Sequence, residues 1–172
     1  TLYTNPLSEH GLFTFDDSVA RVFPDMIKRS VPGYPTIVSM TGLLAGKYAS
    51  AGSSLYDLGC SLGASTLAMR QHIRQPNCRI ISVDNSSAML ERCQSIIDTD
   101  SHETPVTLTC ADVQDVVITE ASVVVLNFTL QFIPRELRDR VISGIYDGLL
   151  PGGVMVLSEK VTFEDPHLDE LN

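Results

Sequence analysis

The chain has 172 residues, 44% hydrophobic and 19% charged, which is enough for one packed domain and too apolar for a chain disordered throughout. Its net charge of −9 argues against direct nucleic-acid binding, because a basic face that neutralises phosphates supplies most of that affinity. No apolar run approaches the roughly 20 residues of a membrane span, and Thr1-Leu2-Tyr3-Thr4-Asn5 lacks a secretory signal's basic start, so the expected setting is cytoplasmic with no membrane partner.

In chain order, Phe15, Val19, Val22, Phe23, Met26 and Ile27 recur at helical spacing, with Asp16 as a cap and Pro24 dividing the helix in two. Pro32-Gly33 is a break. Ile37, Met40, Leu44 and Tyr48 then predict an amphipathic helix that ends in the loop Ala51-Gly52-Ser53. Residues 1–52 thus read as an N-terminal helical cap and 53–172 as an α/β ligand-binding domain.

From residue 54 strands and helices alternate. Strands are predicted at Leu55–Leu58, Arg79–Val83, Val106–Cys110, Ala121–Leu126 and Val154–Leu157, and helices at Ala64–Ile73, Ala88–Ile97 and Arg135–Leu150. Pro151-Gly152-Gly153 reads as a tight turn between the last helix and strand, and Asp165-Pro166 as a further helix start. This alternation implies a doubly wound parallel sheet with helices on both faces. Right-handed crossovers place ligands at the carboxyl ends of its strands.

Those strand ends carry the candidate site. The first runs into Asp57-Leu58-Gly59-Cys60-Ser61-Leu62-Gly63, a glycine turn opening a helix. A dinucleotide fingerprint would need glycine where Ser61 stands. An acidic residue two positions before the first glycine instead fits the methyltransferase arrangement, in which no phosphate has to be housed. The second strand ends in Asp84-Asn85. Asp84 suits a ribose diol, or a helix cap that Ser86 or Ser87 could equally supply. The third ends in Asp112-Val113, either an adenine contact or an ordinary surface turn. The fourth ends in Asn127, either a ligand amide or a structural one. Phe128 and Phe132 read as pocket wall and core. Cys60, Cys78, Cys93 and Cys110 contain no CxxC pair, and His10, His72, His102 and His167 are scattered. No metal site is expected, and the cysteines read as buried or semi-buried free thiols of a reducing compartment.

The segments FTFDDSVARVFPDMIKRSVPGY, YDLGCSLGASTLA, DNSSAMLERC, VVLNFTLQFIP and LPGGVMVLSEK together resemble the carboxy-S-adenosyl-L-methionine synthase family, along essentially the whole chain. The resemblance implies a Rossmann-like class I methyltransferase fold that takes S-adenosyl-L-methionine (SAM) as a substrate and needs no metal. It implies that prephenate loses its carboxylate as carbon dioxide, leaving phenylpyruvate, and that the carboxyl group ends on the SAM methyl carbon. The carboxy-SAM product would pass to a tRNA carboxymethyltransferase that completes an oxyacetyl modification of wobble uridine. Such chemistry needs a carbanion and carbon dioxide held close and dry. By the same carry-over Gly59, Cys60 and Ser61 form the SAM loop, Asp84 and Asn85 hold ribose, and Asp112 and Val113 hold adenine. Asn127 lines the reactive end, and Tyr34 offers its hydroxyl to the added carboxylate.

The family is dimeric. It continues past position 172 with a helical region and a strand hairpin absent from this chain, including an arginine that binds the carboxylate, often across the dimer interface. No residue reads as a general base. Two other readings stay open: a SAM-dependent small-molecule methyltransferase, and a non-catalytic SAM-binding domain.

Overall fold

The computed structural model describes residues 26–27 and 30–161. The predicted helix over 15–29 and the Asp165-Pro166 start lie almost wholly outside these residues. The described elements are α1 (Tyr34–Tyr48), β1 (Ser54–Leu58), α2 (Ala64–His72), β2 (Arg79–Asp84), α3 (Ser87–Asp98), β3 (Val106–Cys110), β4 (Ala121–Asn127), α4 (Arg135–Gly148) and β5 (Leu149–Ser158).

The five strands form one sheet in the order β3-β2-β1-β4-β5, with every neighbouring pair parallel. The chain winds outward from β1 to β3, then jumps back to lay β4 beside β1. Every residue of β1, and β4 from Ala121 to Leu126, is buried, as expected for central strands covered on both faces. Side chains alternate across the sheet. Leu55, Ile80, Val123 and Val125 pack with Ala45 of α1, with Ala49 just after it, and with Met69 of α2. Tyr56, Leu58, Val124 and Leu126 pack with Val141 and Ile145 of α4 on the other face. The strand order reverses between β1 and β4, and at such a switch point ligands settle beyond the carboxyl ends of the strands.

Two expectations change. The buried stripe of α1 is Thr41, Gly42 and Ala45, while Met40 and Leu43 are about half exposed. Small residues win this face because α2 crosses close by. A Cβ on Gly42 would stand 2.7 Å from the Ala68 carbonyl oxygen, and one on Gly46 would stand 2.8 Å from that of His72. In the second change, α4 ends at Gly148 and Leu149 already pairs with Ala121, so Pro151-Gly152-Gly153 lies inside β5 as a looped-out irregularity before Val154 meets Val123. Gly148 is needed there because a side chain would strike the Ile118 carbonyl.

Among the described residues no helix is long and apolar enough to cross a membrane. Among the same residues no group of three or more His, Cys, Asp or Glu side chains is placed to hold a metal ion.

Thermal melts test this packing. Gly42→Ala should cost about 1–3 kcal/mol, since the added methyl meets the Ala68 backbone as well as the His72 ring. Gly144→Ala, in exposed α4 with nothing within 4 Å of the new carbon, should gain about 0.5–1 kcal/mol. Equal melting temperatures for the two variants would refute the close α1–α2 approach.

Candidate functional site

The loop after β1 is held from below and from both sides. Beneath it Asp57 is 2% exposed, and its Oδ2 accepts from Thr66 Oγ1 at 2.6 Å. Thr66 Oγ1 lies 2.7 Å from Ser82 Oγ, and since its one proton is given to Asp57, Ser82 must donate. Asp57 therefore braces the first turn of α2 from inside the core rather than facing a ligand. Burial pushes its pKa up to about 6 against the pull of the Thr66 hydrogen bonds.

The loop's amides are taken by the protein. Gly59 N–H and Cys60 N–H both donate to the Val83 carbonyl, at 2.8 and 2.9 Å, Ser61 N–H donates to Asp84 Oδ2 at 2.9 Å, and Gly63 N–H donates to Cys60 O at 2.8 Å. β2 thus takes three successive donors, those of Gly59, Cys60 and Ser61, and the amides left to face a ligand lie further on, towards the first turn of α2. Gly59 has φ +80, and a side chain there would run into the Thr129 hydroxyl, which donates to Leu58 O at 2.7 Å. Its glycine serves the seating of the β4 loop. Ser61 also holds a left-handed φ of 48, the kind of strained position that surrounding structure must enforce. Cys60 is hydrogen-bonded to Cys93 and buried, which raises its thiol pKa and keeps it neutral.

Asp84 joins two loops. Its Oδ2 takes Ser61 N–H and its Oδ1 takes Ser86 N–H at 2.9 Å. The Asn85 N–H also bonds this carboxylate, whose lone pairs still have room for a ribose hydroxyl. Burial raises this carboxyl's pKa despite those backbone donors. Ser86, not Asp84, caps α3, through a hydrogen bond from Met89 N–H at 3.2 Å. Asn85 Nδ2 donates to Asp112 Oδ1 at 2.9 Å, linking the ends of β2 and β3 on an exposed rim. Val113 follows at the start of a single 3-10 turn, Val113–Asp115. A crevice beside Val113, bounded by Ile118, Val141 and Ile145, opens on the α4 face and touches neither Asp84 nor Asn127.

Across the reversal, Asn127 Nδ2 donates to Ser65 Oγ at 2.9 Å and to Thr41 Oγ1 at 3.1 Å. Its Oδ1 is buried and has no partner. A buried acceptor left unmatched costs about 1–3 kcal/mol, so the site is complementary to a ligand donor. Phe128 has φ 59 and its ring lies 6.2 Å from that of Tyr34, tilted by 44°. Burial, then the Asp57 charge, push the Tyr34 hydroxyl up to about 12, which keeps it a proton donor at neutral pH.

The structure thus gathers the nine predicted residues at one end of the sheet. It links Gly59, Cys60 and Ser61 through Val83 and Asp84, and Asn85 to Asp112 and so to Val113, while Tyr34 and Asn127 lie by the β4 loop. Phe132, expected in wall or core, is 59% exposed, because it closes an outward 3-10 turn. Cys110, at the exposed end of edge strand β3, is exposed rather than buried. Thr41, Ser65, Thr66 and Thr129 were missed, since hydroxyls within apolar stripes leave no local signature. Glu159 could have been found by the strand-end rule: it follows β5, and its Oε1 accepts Leu130 N–H at 2.6 Å, pinning the β4 loop.

Similarity to known proteins agrees with this geometry. Residues 55–153 match a methyltransferase-domain family model. The chain is 57% identical to the carboxy-S-adenosyl-L-methionine synthase of Aliivibrio salmonicida over 99% of its own length and 71% of that protein. It is 61% identical to the same-named protein of Citrifermentans bemidjiense, over 96% of this chain and 68% of that one. Among solved structures it resembles the CcbJ methyltransferase of Streptomyces caelestis, with a TM-score of 0.69, 19% identity, and 85% of this chain and 57% of that one covered. That likeness speaks for the fold alone.

Asp57 supplies a pH test. Its folded pKa of about 6 lies above the ordinary 3.8, so its contribution to stability is full below pH 3.8 and is lost as pH rises through 6. Against Asp57→Asn, which stays neutral, the wild type should gain on the order of 3 kcal/mol on acidification from pH 7 to 4, as judged by denaturant titrations. Parallel pH profiles for the two proteins would contradict the buried-carboxyl account.

Proposed function

The chain belongs to the carboxy-S-adenosyl-L-methionine synthase family within the class I methyltransferase superfamily, and on that premise we propose that it converts SAM and prephenate to carboxy-SAM and phenylpyruvate. The observation that carries the reading is the unpartnered, buried carbonyl of Asn127, on the far side of the strand reversal from Asp84. One end of the crevice can accept a ribose diol, and the other awaits a donor such as the ammonium of a methionine moiety.

In this arrangement Asp84 receives the ribose hydroxyls, with Asn85 beside it. Asp112 accepts from the adenine amino group, and the Val113 backbone N–H faces the ring. Gly59, Cys60 and Ser61 form the floor. Because β2 holds their amides, they offer a rigid, phosphate-free surface. Tyr34, kept protonated, donates to the carboxylate of the product.

The reaction balances without a side-chain base. Prephenate loses carbon dioxide and hydroxide as its ring becomes aromatic. The SAM methyl gives up one proton, which the hydroxide takes as water, and the carbon dioxide joins the methyl carbon. The protein's task is then to hold both substrates close and to exclude bulk water. We further propose that the enzyme works as a cytoplasmic homodimer, without a metal, and that its product feeds a tRNA carboxymethyltransferase acting on wobble uridine.

Incubating the protein with SAM and carboxyl-labelled prephenate, followed by mass spectrometry, tests the proposal. The expected result is a SAM-derived product heavier by one labelled carboxyl group, with equimolar phenylpyruvate. Methylated prephenate, or no product despite SAM binding, would contradict it in favour of a methyltransferase or a binding module.

A further inference from the structure

Thr41 lies in α1, outside every segment that marks the ligand loops, yet it is 1% exposed and touches Asn127. A hydroxyl has one proton to give. Thr41 Oγ1 donates its proton to the Ile37 carbonyl at 2.9 Å, a bond within its own helix. Towards Asn127 it can therefore only accept. That fixes which end of the amide faces α1: the NH2 group must turn towards Thr41, 3.1 Å away, and its second proton goes to Ser65 Oγ at 2.9 Å. With both amide protons spent on helix hydroxyls, the carbonyl oxygen is the end left over, and it is the buried oxygen without a partner.

We infer that Thr41, helped by Ser65, is a positioning residue that sets the polarity of Asn127, so that the site presents an acceptor and selects the ammonium group at the amino-acid end of its ligand. The inference rests on the adenosyl-ligand reading above. It makes α1 part of the specificity apparatus: the proton of one threonine, committed to its own helix, decides the sign of the group offered at the end of β4. Without that hydroxyl the amide can rotate by half a turn and present its NH2, which repels an ammonium and suits a carboxylate.

Calorimetry on the whole chain with two probes tests this. S-adenosylhomocysteine carries the amino-acid end, and 5′-methylthioadenosine lacks it. Thr41→Val keeps the shape and removes the hydroxyl. It should weaken S-adenosylhomocysteine binding about tenfold, a value typical of one lost buried hydrogen bond, and leave 5′-methylthioadenosine binding unchanged. Thr41→Ser should restore the wild-type preference, and Ser65→Ala should show the same split if Thr41→Val does not fold. Equal weakening for both probes, no weakening, or failure of serine to rescue would overturn the inference. Wild-type protein that binds neither probe would overturn the adenosyl-ligand reading itself.

Discussion

Asp84 grips two loops with one carboxylate, and the ligand end of the sheet depends on that grip. One oxygen holds Ser61 of the β1 loop, and the other holds Ser86, which caps α3. The Val83 carbonyl beside it takes two more amides from the same loop. A loop with a left-handed serine is thereby frozen in a shape it would not hold alone. Freezing it commits the amides of Gly59, Cys60 and Ser61 to β2, and the same interaction thus builds the floor of the candidate site.

The opposite wall follows a matching logic from β4. Thr129 ties its loop to Leu58, Glu159 ties it to the end of β5, and Asn127 reaches sideways to α1 and α2. Each tie crosses between elements far apart in the chain. The pocket is therefore defined by the sheet as a whole rather than by any one motif. Asp57 extends this inward, bracing α2 through Thr66 at the cost of keeping a carboxyl in the core.

Much of this was legible from residue types. Alternating apolar runs and helical spacing named the five strands and four α-helices but not the two 3-10 turns, because a parallel sheet buried on both faces leaves a strong signal. The polar residues at strand ends lie together at one end of the sheet, and the family-specific segments named the family to which the chain belongs. The misses share a cause. The α1 face was misjudged because close packing against α2 rewards Gly42 and Ala45 over Met40, a preference that hydrophobicity does not encode. The Pro151-Gly152-Gly153 segment reads locally as a turn, while pairing with β4 makes it an irregularity within a strand. The orientation of Asn127 depends on where one proton of Thr41 goes, a contact across 86 residues.

The central claim is that an adenosyl ligand lies across the carboxyl ends of β1, β2, β3 and β4. Titrating isotope-labelled protein with S-adenosylhomocysteine while recording backbone amide spectra tests it most directly. The account predicts shifts concentrated at Ser61, Asn85, Val113 and Phe128, with Asn77, Arg79 and Thr107, around the crevice at the amino ends of β2 and β3, left unmoved. Shifts centred on that far crevice, or none at saturating ligand, would contradict it.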